Sequence, residues 1–170
     1  MSLIEALIAL TIASILMAAA FPMYTTWVQN TQIRTGAEAI LNGLQIARSE
    51  ALSRNTNVQF ALTGSDTGWQ VNEASDPDGT PIQARSGASG SATAKATPTP
   101  ADATVVTFDP LGRRRATNIV GGSVIQSILI EPTATTVTDA RRLQVTISSG
   151  GQVRMCDPDP AIPTGDTRRC

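Results

Sequence analysis

An uncharged apolar segment near the start of the chain limits most strongly what this protein can fold into. Residues 6–28 contain no Asp, Glu, Lys or Arg, and Glu5 is the only charged residue before Arg34. About 20 apolar residues are enough for a helix to cross the hydrocarbon core of a membrane. We therefore predict an apolar helix over residues 1–28, followed by a polar region that folds in water.

A secretory signal peptide is the alternative interpretation of this segment. Such a peptide needs a basic amino-terminal region and a cleavage site of small residues. The first six residues, MSLIEA, contain no basic residue and carry an acid. The segment is therefore a poor match to a signal peptide, and a retained helix is favoured.

Residues 29–55 continue the helix with an amphipathic pattern. Apolar side chains recur at spacings of three and four, which is typical of a helix that packs one face on a core. Glu50 and Arg54 form an i,i+4 pair, and Asn55 is a plausible stop. Pro22 lies inside the helix and predicts a kink or local loosening. The predicted stripe comprises Ile33, Ala37, Ile40, Leu44, Ala47 and Ala51, widened by Leu41 and Leu52.

Residues 56–170 change to the period of two that is typical of strands. Short strands separated by turns, without helices between them, predict an antiparallel sheet. The fold class is therefore α+β, with the stripe of the long helix packed on the sheet. The predicted strands are 57–62, 68–71, 105–108, 123–130, 142–147 and 152–155.

The segment 85–104, RSGASGSATAKATPTPADAT, is small, polar and poor in large apolar residues. A stretch of this composition buries little surface, so we predict a long exposed loop. A tolerated insertion is favoured over a recognition role for this loop.

Cys156 and Cys170 are the only cysteines, and the chain has no histidine. A disulfide would close a loop of about 15 residues and contribute roughly 3 kcal/mol in the chain-entropy model. Free thiols remain the alternative, whereas a zinc site lacks further ligands. A disulfide implies an oxidising compartment, which places the polar region in the periplasm or outside the cell.

Glu5 is costly in an apolar segment, because a charge at the centre of a membrane helix costs at least about 2.5 kcal/mol on insertion scales. One explanation is local, since a carboxylate is stabilised by the unsatisfied N–H groups at a helix amino terminus. The other is an ammonium partner, namely the amino terminus of this chain or of a neighbouring copy.

The residues MSLIEALIALTIASILMAAAFPMY resemble the mature amino terminus of type IV pilins and type II secretion pseudopilins. The match comprises Leu3, Ile4, Glu5 and Pro22, whereas Ser2 and Met1 replace the usual Thr and Phe. Residues 44–58, LQIARSEALSRNTNV, and the sequence GQVRMCDPD before a final cysteine resemble minor pilins of the FimT and FimU type and H-type pseudopilins. The resemblance covers both ends of the chain but not residues 63–122.

This resemblance implies a type IV pilin fold and a structural subunit of a pilus-type filament. It implies that Met1 is the processed, N-methylated first residue, produced by the prepilin peptidase after removal of a leader. Glu5 of one subunit would then neutralise the Met1 ammonium of its neighbour. The partners would be other pilin subunits and, before assembly, the inner membrane. A minor (priming or tip) pilin is favoured over an H-type pseudopilin, a major shaft pilin or an unassembled single-pass protein.

Arg113, Arg114 and Arg115 follow Gly112 in a predicted turn and suggest a possible DNA contact. The pattern resembles a GRxR-type motif associated with DNA-binding pilins in competence. Five further arginines could extend the patch if the fold gathers them. The net charge of −1 and the scarcity of aromatic residues argue instead for solvated arginines. The five are Arg141, Arg142, Arg154, Arg168 and Arg169.

Enzymatic and metal-dependent functions find little support in the sequence. Without histidine the chain has no imidazole for acid–base or nucleophilic catalysis. Asp76-Pro77-Asp78 and Asp157-Pro158-Asp159 lack the spacing of a calcium-binding EF-hand loop. We therefore predict no catalytic residues, metal or cofactor.

Overall fold

A computed structural model describes residues 2–133 and 141–170. In these residues one long helix is followed by a mainly β domain. The helices are α1 (Leu3–Arg54) and the short α2 (Ala88–Ser91). The strands are β1 (Val58–Leu62), β2 (Trp69–Glu73), β3 (Gln83–Arg85), β4 (Ala94–Thr99), β5 (Val105–Phe108), β6 (Ser127–Pro132), β7 (Leu143–Ile147) and β8 (Val153–Cys156).

The strands form two sheets rather than the single sheet expected from the sequence. The first has the order β3-β2-β1-β5 and the second the order β4-β6-β7-β8, and all paired strands within them are antiparallel. Both sheets contact α1. Alternation along a strand predicts which face is buried but not which strands pair, so the division was invisible in the sequence. The α+β class is confirmed.

The second half of α1 is the central element of the core. All six predicted stripe positions are buried, from Ile33 to Ala51. Leu41 is partly buried against this core, but Leu52 is 50% exposed and does not widen the stripe as predicted. Asn55 ends the helix in the left-handed conformation, with φ 51°. This confirms the predicted helix stop, since asparagine adopts that conformation more readily than most residues.

Gly43 allows α1 to approach the first sheet closely. A Cβ atom built at this position would lie 2.7 Å from the ring of Trp69 and 2.8 Å from that of Phe60. The two rings are themselves in contact, with centroids 5.9 Å apart. Glycine inside a helix costs about 1 kcal/mol relative to alanine. Here that cost is offset by burial of two aromatic side chains against the helix backbone.

The predicted loop over residues 85–104 is wrong. The segment contains α2 and β4, and β4 is an edge strand that pairs with β6 along its whole length. Ala94, Ala96 and Ala103 are buried. The alternation in AKATPT marks a strand, but its inward residues are alanines that carry little hydrophobic signal. Small side chains suffice because the strand packs close to other elements.

All six predicted strands are confirmed, five of them with shifted ends. The largest shift is in the predicted strand 123–130, where β6 begins only at Ser127. The preceding Val124 instead forms an isolated parallel bridge with Val105. The three-residue β3, whose residues are mostly exposed, was not predicted because it is too short to show a period.

Candidate functional site

The first half of α1, residues 3–28, is called here the protruding half. It includes the only helix segment among the described residues that is long and apolar enough to cross a membrane. Its large apolar side chains are exposed. A helix that is apolar on all sides requires a non-aqueous environment, either lipid or other helices. The exposed side chains are Leu3, Ile4, Leu7, Ile8, Leu10, Ile12, Ile15, Leu16, Met17, Phe21, Met23, Tyr24 and Trp27.

Two hydroxyl groups in this half donate to carbonyls of the same helix. The Thr11 hydroxyl donates to the carbonyl of Ile8 at 2.8 Å, and that of Ser14 donates to the carbonyl of Leu10 at 2.7 Å. In lipid, an unpaired polar group costs several kcal/mol. The protruding half can therefore enter an apolar environment without leaving these hydroxyls unpaired.

Glu5 lies in the first turn of α1, where its carboxylate accepts a hydrogen bond from the Ser2 backbone N–H at 3.4 Å. This contact supplies the local stabilisation expected at a helix amino terminus. It is long, and it leaves acceptor capacity on the carboxylate. The proposed partner, the Met1 ammonium, lies outside the described residues.

Pro22 lies within α1, which continues as one helical element from Leu3 to Arg54. The predicted local loosening at Pro22 stays a prediction.

Arg113, Arg114 and Arg115 lie in a tight turn after β5. The turn is closed by Asp109, whose side chain accepts bonds from the backbone N–H of Arg113 at 2.9 Å and from its guanidinium. Burial tends to raise the pKa of Asp109, but the hydrogen bonds from Arg113 and Leu111 outweigh it and lower that pKa. Arg113 is thus neutralised by a neighbour rather than free for an anion.

The other two arginines of this turn are half-buried and face protein acceptors. Arg114 donates to the carbonyl of Ile125 and Arg115 to the side chain of Asn57, each at 3.4 Å. Arg48 of α1 also donates to the carbonyl of Gly112 at 3.0 Å. These contacts fasten the turn to the helix and to the segments just before β1 and β6, which favours a structural role. Asp109 and Arg48 were not identified from the sequence. The role of Arg48 depends on a contact across the fold, whereas Asp109 is only four residues from Arg113.

The structure does not gather all eight arginines into one patch. The 113–115 turn is fastened to α1 at Arg48, whereas the backbone N–H of Arg141 donates to the side chain of Asn30 at 2.9 Å. These two attachment points are separated by about 27 Å along the helix axis. Arg154 and Arg169 donate to backbone carbonyls at 3.0 Å. The possible extension of the patch therefore fails for Arg141 and Arg142.

The carboxyl-terminal segment is closed by the predicted disulfide, Cys156–Cys170. Two backbone hydrogen bonds reinforce it, from the N–H of Asp157 to the carbonyl of Arg168 at 2.7 Å and from the N–H of Cys170 to the carbonyl of Asp157 at 3.1 Å. Arg168 forms an ion pair with Asp166 at 2.7 Å. Its hydrogen bonds lower the pKa of Asp166 to about 2.

Metal binding by the acidic turns gains no support. The described residues contain no group of three or more Asp, Glu or Cys side chains placed to hold a metal ion. The side chain of Asp157 instead accepts the N–H of Asp159, and that of Asp159 accepts the N–H of Ala161. These are turn contacts, as expected for Asp–Pro sequences.

Comparisons with known proteins address the fold and the family. Two crystal structures of FimU, a type IV minor pilin of Pseudomonas aeruginosa PAO1, resemble this chain. The first has a TM-score of 0.57 and 21% identity, covering 76% of this chain and 91% of FimU. The second has a TM-score of 0.53 and 21% identity, covering 72% and 90%. No curated protein sequence matches the chain.

The FimU structures share the fold with this chain, which confirms the predicted type IV pilin fold. The family described as type II transport protein GspH matches residues 36–151, more than half of the sequence. This match covers α1 from residue 36 onward and every strand except β8. The chain therefore belongs to the family described as type II transport protein GspH, and it has the type IV pilin fold.

Proposed function

We propose that this protein is a minor pilin, a priming or tip subunit of a type IV pilus, and that its protruding half enters the helical core of the filament. The observation that carries the proposal is the exposure of large apolar side chains over the whole circumference of residues 3–28. In the proposed sequence of events, the inner membrane surrounds this helix first. Neighbouring helices replace the lipid when the subunit joins the filament.

Glu5 sets the position of the subunit in this proposal. Its carboxylate pairs with the Met1 ammonium of an adjacent subunit, after the prepilin peptidase has removed a leader and methylated Met1. Each charge is costly in an apolar bundle, and pairing offsets most of that cost. The pair also fixes the axial stagger between neighbours. The local bond from Ser2 to Glu5 supports the proposal, since it would hold the carboxylate at the helix end.

The proposed location follows from the same features. Before assembly the chain is a single-pass protein of the inner membrane, with its globular domain in the periplasm. The Cys156–Cys170 disulfide supports this orientation, because disulfides persist in oxidising compartments. After assembly the globular domain coats an extracellular filament.

The second candidate is an H-type pseudopilin of a type II secretion system. The family match favours it, since the family is described as a type II transport protein. The two candidates require the same helix chemistry and differ in the machine that assembles the subunit. A DNA-binding pilin has weaker support, because the 113–115 arginines donate to Asp109, Ile125 and Asn57.

The test is quantitative mass spectrometry of filaments sheared from cells, comparing this chain with every other pilin present. A minor pilin should be a trace component of the filament. A dominant amount would identify a major shaft subunit instead. Presence only in secretion pseudopili, with loss of secretion in a deletion strain and normal piliation, would favour the pseudopilin.

Substitution of Glu5 and of Glu38, two of the three glutamates of α1, separates assembly from anchoring. Glu5→Gln should abolish most incorporation into filaments while the protein remains in the membrane. Glu38→Gln is the matched control, because Glu38 lies on the same helix but pairs with Arg34 on the exposed face of the domain. Equal incorporation of both variants would contradict the role of Glu5.

A further inference from the structure

The edge of the globular domain nearest the protruding half, which includes Thr93 and Arg141, is called here the rim. The rim lies at a defined depth relative to a membrane. The exposed rings of Tyr24 and Trp27 lie in contact, with centroids 6.3 Å apart, at the end of the apolar segment. Tyrosine and tryptophan concentrate at the membrane–water interface. From Leu3 to Trp27 the helix rises about 36 Å, which spans the hydrocarbon core and reaches the headgroup region. Trp27 therefore marks the headgroup level.

The domain is fastened to α1 directly beyond this level. The side-chain carbonyl of Asn30 accepts the backbone N–H of Arg141 at 2.9 Å. That of Gln32 accepts both the N–H and the hydroxyl of Thr93, at 2.9 and 2.7 Å. Asn30 and Gln32 lie only about 4 to 8 Å of helix rise beyond Trp27. With no spacer between them, a membrane-inserted helix holds the rim beside the headgroups.

A groove of about 600 Å³ is lined by Arg141, whose backbone is fastened to Asn30 at this rim, and by Arg142. Leu129 and Gln144, which are opposite one another in the pairing of β6 with β7, also line it. Leu129 alternates with the buried Ile128 and Ile130, so the groove lies on the face of the second sheet away from the core. The disulfide-closed carboxyl-terminal segment contributes further lining residues, which include Asp157, Asp159, Ile162 and Arg168.

The cations of this groove differ in their availability. Arg168 is held by Asp166 at 2.7 Å. Arg141 and Arg142 are exposed, and neither guanidinium has an ion-pair partner within residues 2–133 and 141–170. The carboxylates of Asp157 and Asp159 also line the groove and oppose an incoming anion. The net charge of −1 is a sum over the whole chain, so it does not reveal this local arrangement of charges.

We propose that Arg141 and Arg142 bind the phosphates of phospholipid headgroups in the membrane that α1 spans. The inference rests on the proposed function, since it concerns the subunit before it enters a filament. A guanidinium presents paired N–H donors that match phosphate oxygens. The groove has the volume of a small-molecule site, which leaves room for a headgroup. The arginines thereby set the tilt of the domain on the membrane.

Native mass spectrometry of the full chain in a neutral detergent tests this proposal, with phosphatidylglycerol as the titrated lipid. Replacing both arginines, Arg141→Gln with Arg142→Gln, should weaken phosphatidylglycerol binding roughly tenfold. High salt should weaken binding to the native chain and have little effect on the double variant. The matched control is Arg113→Gln with Arg115→Gln, about 27 Å away along the helix, which should bind as the native chain does.

A third variant tests the acidic residues that line the groove. Asp159→Asn removes one opposing charge and keeps the side-chain oxygen that accepts the Ala161 N–H at 2.8 Å. It should bind phosphatidylglycerol several-fold more tightly. Equal binding by the native chain and the 141/142 variant would overturn the proposal, as would equal loss in the 113/115 control.

Filament incorporation is measured separately, on the same 141/142 variant. Loss of lipid binding with normal incorporation supports the headgroup contact and leaves the pilin proposal untouched. A native chain that binds phosphatidylglycerol through Arg141 and Arg142 but never enters filaments would overturn the pilin proposal alone.

Discussion

The two halves of α1 share one secondary structure but differ in what surrounds them. In the protruding half, large apolar side chains such as Leu16 and Phe21 are exposed on every side. In the second half, residues 29–54, the apolar side chains other than Leu52 are mostly gathered in one stripe and buried under two sheets. The comparison shows that one continuous helix can suit two environments, an apolar one along its first half and the core of a globular domain along its second half. The second half carries its own core, whereas the first half must find an apolar environment elsewhere.

The largest expected effect comes from comparing matched leucine substitutions in the two halves. Leu44→Ala removes a side chain that is 0% exposed, and it should lower the free energy of unfolding of the domain by about 2–5 kcal/mol. Leu16 is 65% exposed, so Leu16→Ala should leave that free energy unchanged. Urea unfolding of the full chain in detergent, followed by Trp69 fluorescence in a Trp27→Phe background, measures both. Similar losses in the two variants would contradict the division.

A substitution at Gly43 tests how closely the second half of α1 packs on the first sheet. Gly43→Ala should lower the free energy of unfolding by about 1–3 kcal/mol, because the added Cβ meets the Trp69 ring at 2.7 Å. Alanine is the better helix former, so a gain in stability would instead show that the sheet yields easily. Gly150→Ala is the control, since its nearest neighbour would be 3.8 Å away. The same unfolding experiment applies to both.

The smallest expected effect concerns the carboxyl-terminal segment that borders the rim. The pKa of Asp166 is lowered to about 2 from 3.8 by Arg168. A lowered pKa in the folded state stabilises the protein above the unfolded value. That contribution is therefore complete above about pH 4 and is lost as the pH falls toward 2. The effect should be local, because the segment is exposed and closed by a disulfide.

An NMR titration of the carboxyl carbons measures this pKa directly. Arg168→Gln should return the pKa of Asp166 toward 3.8. Asp102 is the control, since its pKa is lowered by the Ser123 hydroxyl and should not respond. If Arg168→Gln leaves the pKa of Asp166 unchanged, the ion pair is not the cause of the lowered pKa.

Much of the architecture was predictable because it depends on local patterns. The buried stripe of α1, the stop at Asn55 and the ends of β5 follow from periodicity and residue preference. β4 was missed because its inward positions are alanines, whose burial carries little hydrophobic signal. Leu52 was placed in the core because spacing alone does not show where the sheets end.

The features of the candidate sites also divide into those that the sequence could predict and those that it could not. The paired cysteines could be predicted because only two exist in the chain. The roles of Glu5 and Met1 stay predictions, since they concern contacts between subunits, and the loosening of α1 at Pro22 stays one as well. The neutralisation of Arg113 by Asp109 could be guessed from proximity, but the approach of Arg48 to Gly112 could not.

The sequence by itself determined the long helix, its change from apolar to amphipathic, the β-rich domain and the disulfide. Each follows from neighbours in the chain, where periodicity and composition report on the local environment. Only the tertiary structure decided that the strands form two sheets and that Arg141 lies beside Asn30 while Arg113 lies near Arg48. These features depend on contacts between distant residues, which the packing of α1 against both sheets brings together.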